Sequence, residues 1–232
     1  MITFLENRYI LITITFVIFA AFQLLQKRTG YALLNPILIT VALIIIFLKV
    51  TNISFETYNA SGELIEFWLK PSVVALGVPL YKQLETIKKQ MIPLIMAELA
   101  GCVVGIISVV LIAQFLGASK EIVLSLAAKS VTTPIAMEVT KAIGGIPSLT
   151  SAVVICVGIF GGMAGFRVMR MSHIGSPIAQ GLSMGTAAHA VGTSYAMDVS
   201  DKYGAFASLG LTVNGIFTAL LTPTILDLLG IL

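Results

Sequence analysis

Two ionisable residues stand at equivalent positions of a duplicated stretch in a strongly apolar chain. The segments "AAKSVTTPIAMEVTKAIG" (127–144) and "AAHAVGTSYAMDVSDKYG" (187–204) match without gaps at eight of eighteen positions. Lys129 and His189 align, each four residues before an aligned threonine. Because ionisable side chains inside apolar segments usually face a cavity or a partner, the pair indicates a site for an anion or a transferred proton. The alternative is that the opposite charges within each segment neutralise one another so that the segment can insert into a membrane.

The acidic residues are candidates for ion coupling. Glu138 and Asp198 also align, nine residues after the aligned cations, and are the expected counter-charges of Lys129 and His189. Glu98 in "MAELAG" is a further ionisable residue well inside an apolar stretch, so it either faces a cavity or lies nearer the surface. We predict coupling to H⁺ or Na⁺ through a residue of this set: Glu138, Asp198, Glu98 and His189.

Breaks in the duplicated segments provide a second means of binding an anion. In "TTP", Thr133 is a natural N-cap and Pro134 suits the first helical position. One half-helix is therefore predicted to end near Ser130 and another to begin at Thr133. In the second copy, Gly192 and Thr193 of "VGTS" predict the break. Free backbone N–H groups at a half-helix N-terminus can hold a carboxylate, although the threonines could equally do no more than cap their helices.

Composition places these segments in a membrane. The 232 residues are 57% hydrophobic and 11% charged, with a mean hydropathy of +1.00, whereas soluble domains carry about 25% charged residues. A formal charge of +3, spread between apolar stretches, argues against a nucleic-acid partner.

Cys102 and Cys156 lie in apolar stretches without a CxxC pattern, which argues against a metal centre or cofactor. No GxSxG, HExxH or phosphate-loop motif is present, so we predict that the chain is not an enzyme.

The apolar stretches predict an all-α polytopic membrane protein. About six are long enough to cross the hydrocarbon core, which takes about 20 residues; they are 9–26, 32–50, 64–80, 91–116, 147–169 and 204–230. Two interrupted stretches, 119–143 and 176–200, hold the duplicated sequence. The duplication extends upstream, because two GxxxG pairs also align; such pairs let helices approach closely, and they are Gly101/Gly105 and Gly161/Gly165.

The basic residues favour re-entrant hairpins for the interrupted stretches. Three basic clusters lie on one side of the membrane only if stretch 119–143 enters and leaves by the same face; they are Lys27/Arg28, Lys82/Lys88/Lys89 and Arg167/Arg170. A repeat unit then holds one crossing helix and one hairpin, so the second copy is inverted relative to the first. The predicted parts are 1–82 (scaffold helices), 83–146 (repeat 1), 147–203 (repeat 2, inverted) and 204–232 (a C-terminal transmembrane helix).

The chain resembles the LrgB/CidB family of antiholin-like bacterial membrane proteins. The resemblance covers nearly the whole chain and is carried by "LLNPIL", "LKPSVVALGVPLY", "AAKSVTTPIAMEV", "GGIPSLTSAVV" and "GLSMGTAAHAVGT". The family includes a plastid translocator that exchanges glycolate and glycerate. Its bacterial members are linked to pyruvate uptake and to control of murein hydrolases, often with a small LrgA-type membrane partner.

The resemblance implies small monocarboxylates as substrates and carries a set of signature residues, which are Asn35, Pro36, Lys129, Ser130, Thr132, Thr133, Pro134, Gly185, Thr186, His189, Gly192 and Thr193. Two departures affect substrate choice: Ala188 stands where relatives often have serine, and Tyr195 where they often have a basic residue. The predicted substrate-binding set is Lys129, Ser130, Thr132, Thr133, Pro134, His189, Gly192, Thr193, Ser194 and Asn35.

Two functions follow as expectations. The first is a secondary transporter of small monocarboxylates in a bacterial cytoplasmic membrane, working by alternating access within a homo-oligomer, a dimer being favoured by analogy. The second is an antiholin-like regulator of murein hydrolase export and autolysis that acts with an LrgA-type partner.

Overall fold

The computed structural model describes residues 7–31, 34–75 and 77–232. These residues form eleven helices joined by short turns, which confirms the all-α class. The helices are α1 (Arg8–Thr29), α2 (Pro36–Thr51), α3 (Phe55–Ala75), α4 (Gly77–Lys82), α5 (Leu84–Lys89), α6 (Met91–Phe115), α7 (Lys120–Ala127), α8 (Thr133–Ala142), α9 (Pro147–Met171), α10 (Pro177–Val199) and α11 (Asp201–Leu228).

Four helices are long and apolar enough to cross a membrane, namely α1, α6, α9 and α11. They fall on the predicted crossings at 9–26, 91–116, 147–169 and 204–230 and are candidate membrane spans by their length and composition. The predicted span 32–50 corresponds to α2, which has 16 residues and is shorter than a typical crossing. The predicted span 64–80 falls on the second half of α3 and the start of α4. Residues 32, 33 and 76 of these two spans lie outside the described ranges, and the count of six crossings stays a prediction.

The chain divides into two compact units, one ending at Ala75 and the other beginning at Leu76. In the first unit, α1 packs against α2 and α3. Asn35 is the N-cap of α2, where its side-chain oxygen accepts hydrogen bonds from the amides of Ile37 and Leu38 at 2.9 and 3.1 Å. This cap is strong because two otherwise unpaired N–H groups share one acceptor. The predicted division into four parts stays a prediction.

In the second unit, α11 is the central helix and packs against α4, α6, α8 and α10. Its buried face holds small residues, which let neighbouring helices come close, and includes Gly204, Ala205, Ala207, Ser208 and Gly210. The helices α9 and α10 pack against each other, as do α6 and α7. The two broken segments therefore lie between long apolar helices.

The first broken segment consists of α7 and α8 with the turn 128–132 between them. The amide of Lys129 donates to the carbonyl of Leu126 at 3.1 Å, and this tight bond ends α7 at Ala127, earlier than the predicted end near Ser130. The cap of α8 is Thr132, not Thr133 as predicted. The prediction was wrong by one residue because proline suits any position of the first turn, so Pro134 did not require Thr133 to be the cap.

The second broken segment is α10, which reverses at His189, where φ is 43° and ψ is −135°. A side chain on Gly192 would collide with the carbonyl oxygen of Met184, although residues eight apart in a straight helix are about 12 Å from each other. The two arms of α10 therefore fold back on each other, as predicted for a hairpin. Whether this hairpin is inverted relative to the first broken segment stays a prediction.

The tip of this hairpin is His189, and the predicted break at Gly192 and Thr193 is wrong. Thr193 lies inside the second arm, where its hydroxyl donates to the carbonyl of His189 at 2.9 Å. Gly192 is needed for the close approach of the arms and not for the reversal itself. Glycine thus marked a packing position, which sequence alone does not distinguish from a break.

The predicted close packing of the GxxxG pairs is confirmed in the second copy. A Cβ atom on Gly161 or Gly165 would come within 2.5 Å of the side chain of Ala188 or Met184 on the hairpin. In the first copy, a Cβ atom on Gly105 would meet nothing within 4 Å. A Cβ atom on Gly101 would lie 3.3 Å from the Thr186 side chain on the hairpin, so within the first pair only Gly105 borders an open space.

A buried hydroxyl attaches the first broken segment to α9, and its removal should destabilise the unit. Thr150 is fully buried, and its hydroxyl donates to the carbonyl of Ser125 at 2.8 Å and lies 2.9 Å from that of Thr140. Thr150→Val keeps the shape but removes the donor, so we expect a loss of about 1–3 kcal/mol of stability. A thermal melt in detergent should show a lower Tm.

The control is Thr212→Val, whose hydroxyl bonds to the Ser208 carbonyl within its own helix. An equal Tm for Thr150→Val and the control would contradict this prediction.

Candidate binding site

A cavity of about 290 Å³ lies between α6, α11 and the two broken segments. Small residues of α6 make the space, including Ala97, Gly101 and Gly105. Polar side chains from all four elements line it, and these are Glu98, Lys129, Ser130, Ser183, Thr186, Asn214 and Thr218. A polar cavity among apolar helices is a candidate binding site, because buried polar groups need partners.

Asn214 ties the two broken segments together at this cavity. Its side-chain nitrogen donates to the carbonyl of Ser130 at 3.1 Å and to the carbonyl of Thr186 at 3.0 Å. Both carbonyls lie at or near a break, where the helix leaves backbone groups unpaired. Asn214 is not among the predicted site residues, although its amide in the middle of the apolar span "LTVNGIF" was an available signal.

Glu98 faces the cavity and is 1% exposed. The hydroxyl of Thr186 donates to its Oε1 at 2.5 Å. Space for this contact comes from Gly210 on α11, where a Cβ atom would lie 3.1 Å from both oxygens. Of the two positions that the sequence left open for Glu98, the cavity-facing one is therefore correct.

Lys129 lines the same cavity, and its ammonium group donates to the hydroxyl of Ser130 at 2.9 Å. Within the described part of the chain, the ion pairs shorter than 4 Å are Lys82–Asp201 and Lys88–Glu85. Neither pair includes Lys129 or Glu98. The cavity thus presents a cation and an acid that do not neutralise each other by direct contact.

A second, apolar cavity of about 590 Å³ lies between α9 and the first arm of α10. Its walls include Val157, Phe160 and Met184. Three residues, Lys129, Ser183 and Ala187, line both cavities. The ammonium group of Lys129 therefore lies where the polar cavity adjoins an apolar one.

His189, the equivalent of Lys129 in the second copy, lines neither of these two cavities. Its Nε2 atom lies 2.9 Å from the carbonyl oxygen of Val154 on α9, and the residue is 4% exposed. A Cβ atom on Gly158 would come 2.5 Å from the imidazole ring, so the ring packs directly on the backbone of α9. His189 thus has a hydrogen-bond partner where the structure places it.

Most of the remaining residues of the predicted substrate-binding set lie at the start of α8 or in the second arm of α10. Thr132 and Thr133 are partly exposed at the start of α8, and Pro134 is exposed. Thr193 and Gly192 are buried within the hairpin, whereas Ser194 is exposed. Asn35 belongs to the first unit, where it caps α2.

The expected counter-charges do not pair with the aligned cations. Glu138 and Asp198 are both exposed, and neither takes part in an ion pair shorter than 4 Å within the ranges described above. Each lies nine residues from its cation, which at 1.5 Å per residue places it far along a helix arm from the tip. The prediction of counter-charge pairs is therefore wrong, and the coupling role of these two acids stays a prediction.

The fold and site define a multi-pass helical membrane protein with a polar cavity at two broken helices. The model of the LrgB-like family matches residues 15–228. The chain therefore belongs to the LrgB family.

Its relatives include the antiholin-like proteins LrgB of Bacillus cereus (strain B4264) and Bacillus anthracis (strain A0248). Each is 33% identical over 223 residues, which cover 96% of this chain and 97% of the relative. No solved structure matches the chain. The names of these relatives favour the antiholin-like alternative over carboxylate transport.

Proposed function

We propose that this LrgB-family protein is a secondary transporter of small monocarboxylates in the bacterial cytoplasmic membrane. The observation that carries the proposal is the polar cavity at the two broken helices, which holds Lys129 and Glu98 without pairing them. Non-helical backbone at membrane depth is tolerated where it is buried in protein or lines a cavity. A protein that acts only by contacts at its surface has no need of such a cavity.

The size and chemistry of the cavity suit a small organic acid. At about 290 Å³ it lies at the lower end of ligand pockets, which run from about 300 to 1,000 Å³. The ammonium group of Lys129 would bind the carboxylate, and the hydroxyls of Ser130 and Ser183 would hydrogen-bond to the acid. Glycolate, glycerate and pyruvate are the substrates that we propose, without any catalytic step.

Alternating access would follow from movement of the broken segments relative to the long helices. In this proposal the chain crosses the membrane six times, the two hairpins are inverted repeats, and a homodimer supplies the stationary frame. The amide of Asn214 would hold the segments together in the state described here.

The second candidate function is antiholin-like regulation of murein hydrolase export together with an LrgA-type partner. The relatives at 33% identity are antiholin-like proteins by name, which supports it. On this view, the exposed apolar side chains of α6 and α9, such as Phe115 and Met171, would contact the partner. The two functions are compatible if an effect on autolysis follows from changed carboxylate or proton balance.

Uptake into proteoliposomes that contain only this protein tests the proposal. Labelled glycolate, glycerate, pyruvate and lactate would be offered with and without a proton or sodium gradient. We expect saturable uptake of at least one acid above that of empty vesicles. No uptake of any acid, even with an LrgA-type protein added, would reject transport and leave the regulator.

A further inference from the structure

We propose that Glu98, Thr186 and Asn214 form the binding site of one exchangeable monovalent cation, a proton or Na⁺. The binding of this cation stands independently of the proposed function, whereas its coupling to carboxylate movement rests on that function. The site is distinct from Lys129, which we assign to the substrate.

Two buried acceptor oxygens at the cavity lack a donor. Within the described ranges, Oε2 of Glu98 and Oδ1 of Asn214 are buried and have no hydrogen-bond partner. Both residues are 1% exposed, and both line the polar cavity. Buried acceptors almost always find a donor or an ion, so two such atoms on residues of one cavity mark a place where a proton or a small cation could bind.

The orientation of the Asn214 amide is fixed by its neighbours. Its nitrogen faces two carbonyl oxygens, those of Ser130 and Thr186, and a carbonyl can only accept. Exchanging the nitrogen and oxygen would put three acceptors together, so Oδ1 must point elsewhere. The amide oxygen is therefore available to a cation or to a proton on a carboxyl group.

Thr186 connects this amide with the carboxyl group of Glu98. Its carbonyl accepts from Asn214, and its hydroxyl donates to Oε1 of Glu98. Oε1 of Glu98 thus has this hydroxyl at 2.5 Å, whereas the buried Oε2 has no partner within the described ranges. A single carboxylate balances one positive charge, which favours a monovalent ion over a divalent one.

The other titratable groups that line the cavity do not supply this charge by contact. They are Lys129 on the first broken segment and Cys102 on α6. The ammonium group of Lys129 bonds to Ser130 and lies more than 4 Å from the Glu98 oxygens. The thiol of Cys102 lies 3.5 Å from the hydroxyl of Thr218. Glu98 therefore has no positively charged partner in direct contact among the residues that line the cavity, and we assign that role to the exchangeable cation.

Gradient-driven uptake of labelled glycolate by wild type, Glu98→Gln and the exposed control Glu121→Gln tests the coupling. Separate pH and Na⁺ gradients identify the cation. A pH difference of about one unit supports about tenfold accumulation per coupled proton. We expect Glu98→Gln to lose this accumulation but to keep exchange of labelled for unlabelled acid, whereas the control behaves as wild type. Accumulation by Glu98→Gln with the gradient dependence of wild type would overturn the inference and leave transport intact.

Carbodiimide labelling of the wild-type protein tests cation binding without any transport. Dicyclohexylcarbodiimide modifies protonated carboxyl groups in apolar surroundings, and peptide mass spectrometry locates the adduct. We expect an adduct at Glu98 that decreases as Na⁺ or pH is raised. No adduct at Glu98, or one unaffected by both, would overturn the inference. Because this measurement needs no substrate, it separates failure of the cation site from failure of the proposed transport.

Discussion

Replacing Lys129 with alanine should reduce monocarboxylate uptake by about tenfold to a hundredfold, because a hydrogen bond to a charged group contributes about 1.5–3 kcal/mol. Lys129 lines the polar cavity, and its ammonium group donates a hydrogen bond to the neighbouring hydroxyl of Ser130. It is therefore available to a carboxylate. The measurement is the initial rate of uptake into proteoliposomes at several substrate concentrations.

The matched control is Lys141→Ala, which removes an exposed lysine near the end of α8 in the same broken segment. We expect it to transport as wild type does. Both variants should elute and melt like wild type, since Lys129 makes no ion pair shorter than 4 Å among the residues described. Uptake by Lys129→Ala within about twofold of wild type would contradict the role of Lys129, because that corresponds to well under 1 kcal/mol.

The two candidate functions respond differently to this substitution. A regulator that acts through partner contacts should tolerate the loss of a cavity lysine, because its contacts lie on the outer faces of the helices. Transport should not tolerate it. A variant that loses uptake but still binds an LrgA-type partner would show that the cavity and the partner surface are separate.

Long apolar helices were predictable because hydropathy over some 20 residues is a strong, local signal. Four of the predicted crossings appear as helices of the expected length. The stretch 64–80 was harder to delimit, since α3 begins at Phe55 and carries charged residues both before position 64 (Glu56 and Glu63) and after it (Glu66 and Lys70). The ends of this helix depend on packing against other helices, which hydropathy averaged along the chain does not represent.

The positions of the two tips were less predictable than their existence. Duplication and interruption were visible in the sequence, and both segments are indeed broken. The reversal at His189 uses a positive φ angle, which nonglycine residues adopt only where surrounding contacts hold them. Here the imidazole bonds to Val154 and Thr193 bonds to the His189 carbonyl. The contact with Val154 comes from a part of the chain that lies 35 residues away and leaves no local pattern.

The two copies of the repeat have diverged in what their tips contact. At the same offset of sixty residues, Glu98 aligns with Gly158. In the first copy an acid and Lys129 line one cavity, whereas in the second copy the imidazole of His189 packs on the glycine backbone. Alignment correctly paired the tip residues but could not predict that only one of them lines the cavity. Asn214 lies outside the repeat, so the duplication gave no hint of its contacts.

Replacing Gly185 with alanine should prevent the hairpin from packing against α11. A Cβ atom at this position would collide with the carbonyl oxygen of Ala207 and come 2.8 Å from the amide nitrogen of Leu211. Both are backbone atoms of a central helix and cannot rotate away as a side chain would. Overpacking usually costs about 1–3 kcal/mol, and we expect the upper end or more here.

The measurement is size-exclusion elution and thermal unfolding of Gly185→Ala in detergent, beside Gly175→Ala. Gly175 lies in the exposed turn before α10, and a Cβ atom there would meet nothing within 4 Å. The control should therefore match wild type in elution and Tm, while Gly185→Ala should aggregate or melt several degrees lower. An unchanged Tm for Gly185→Ala would mean that the first arm of α10 does not contact α11 as closely as described. Because Thr186 is the next residue, such a result would also remove the support for its carbonyl as a partner of Asn214.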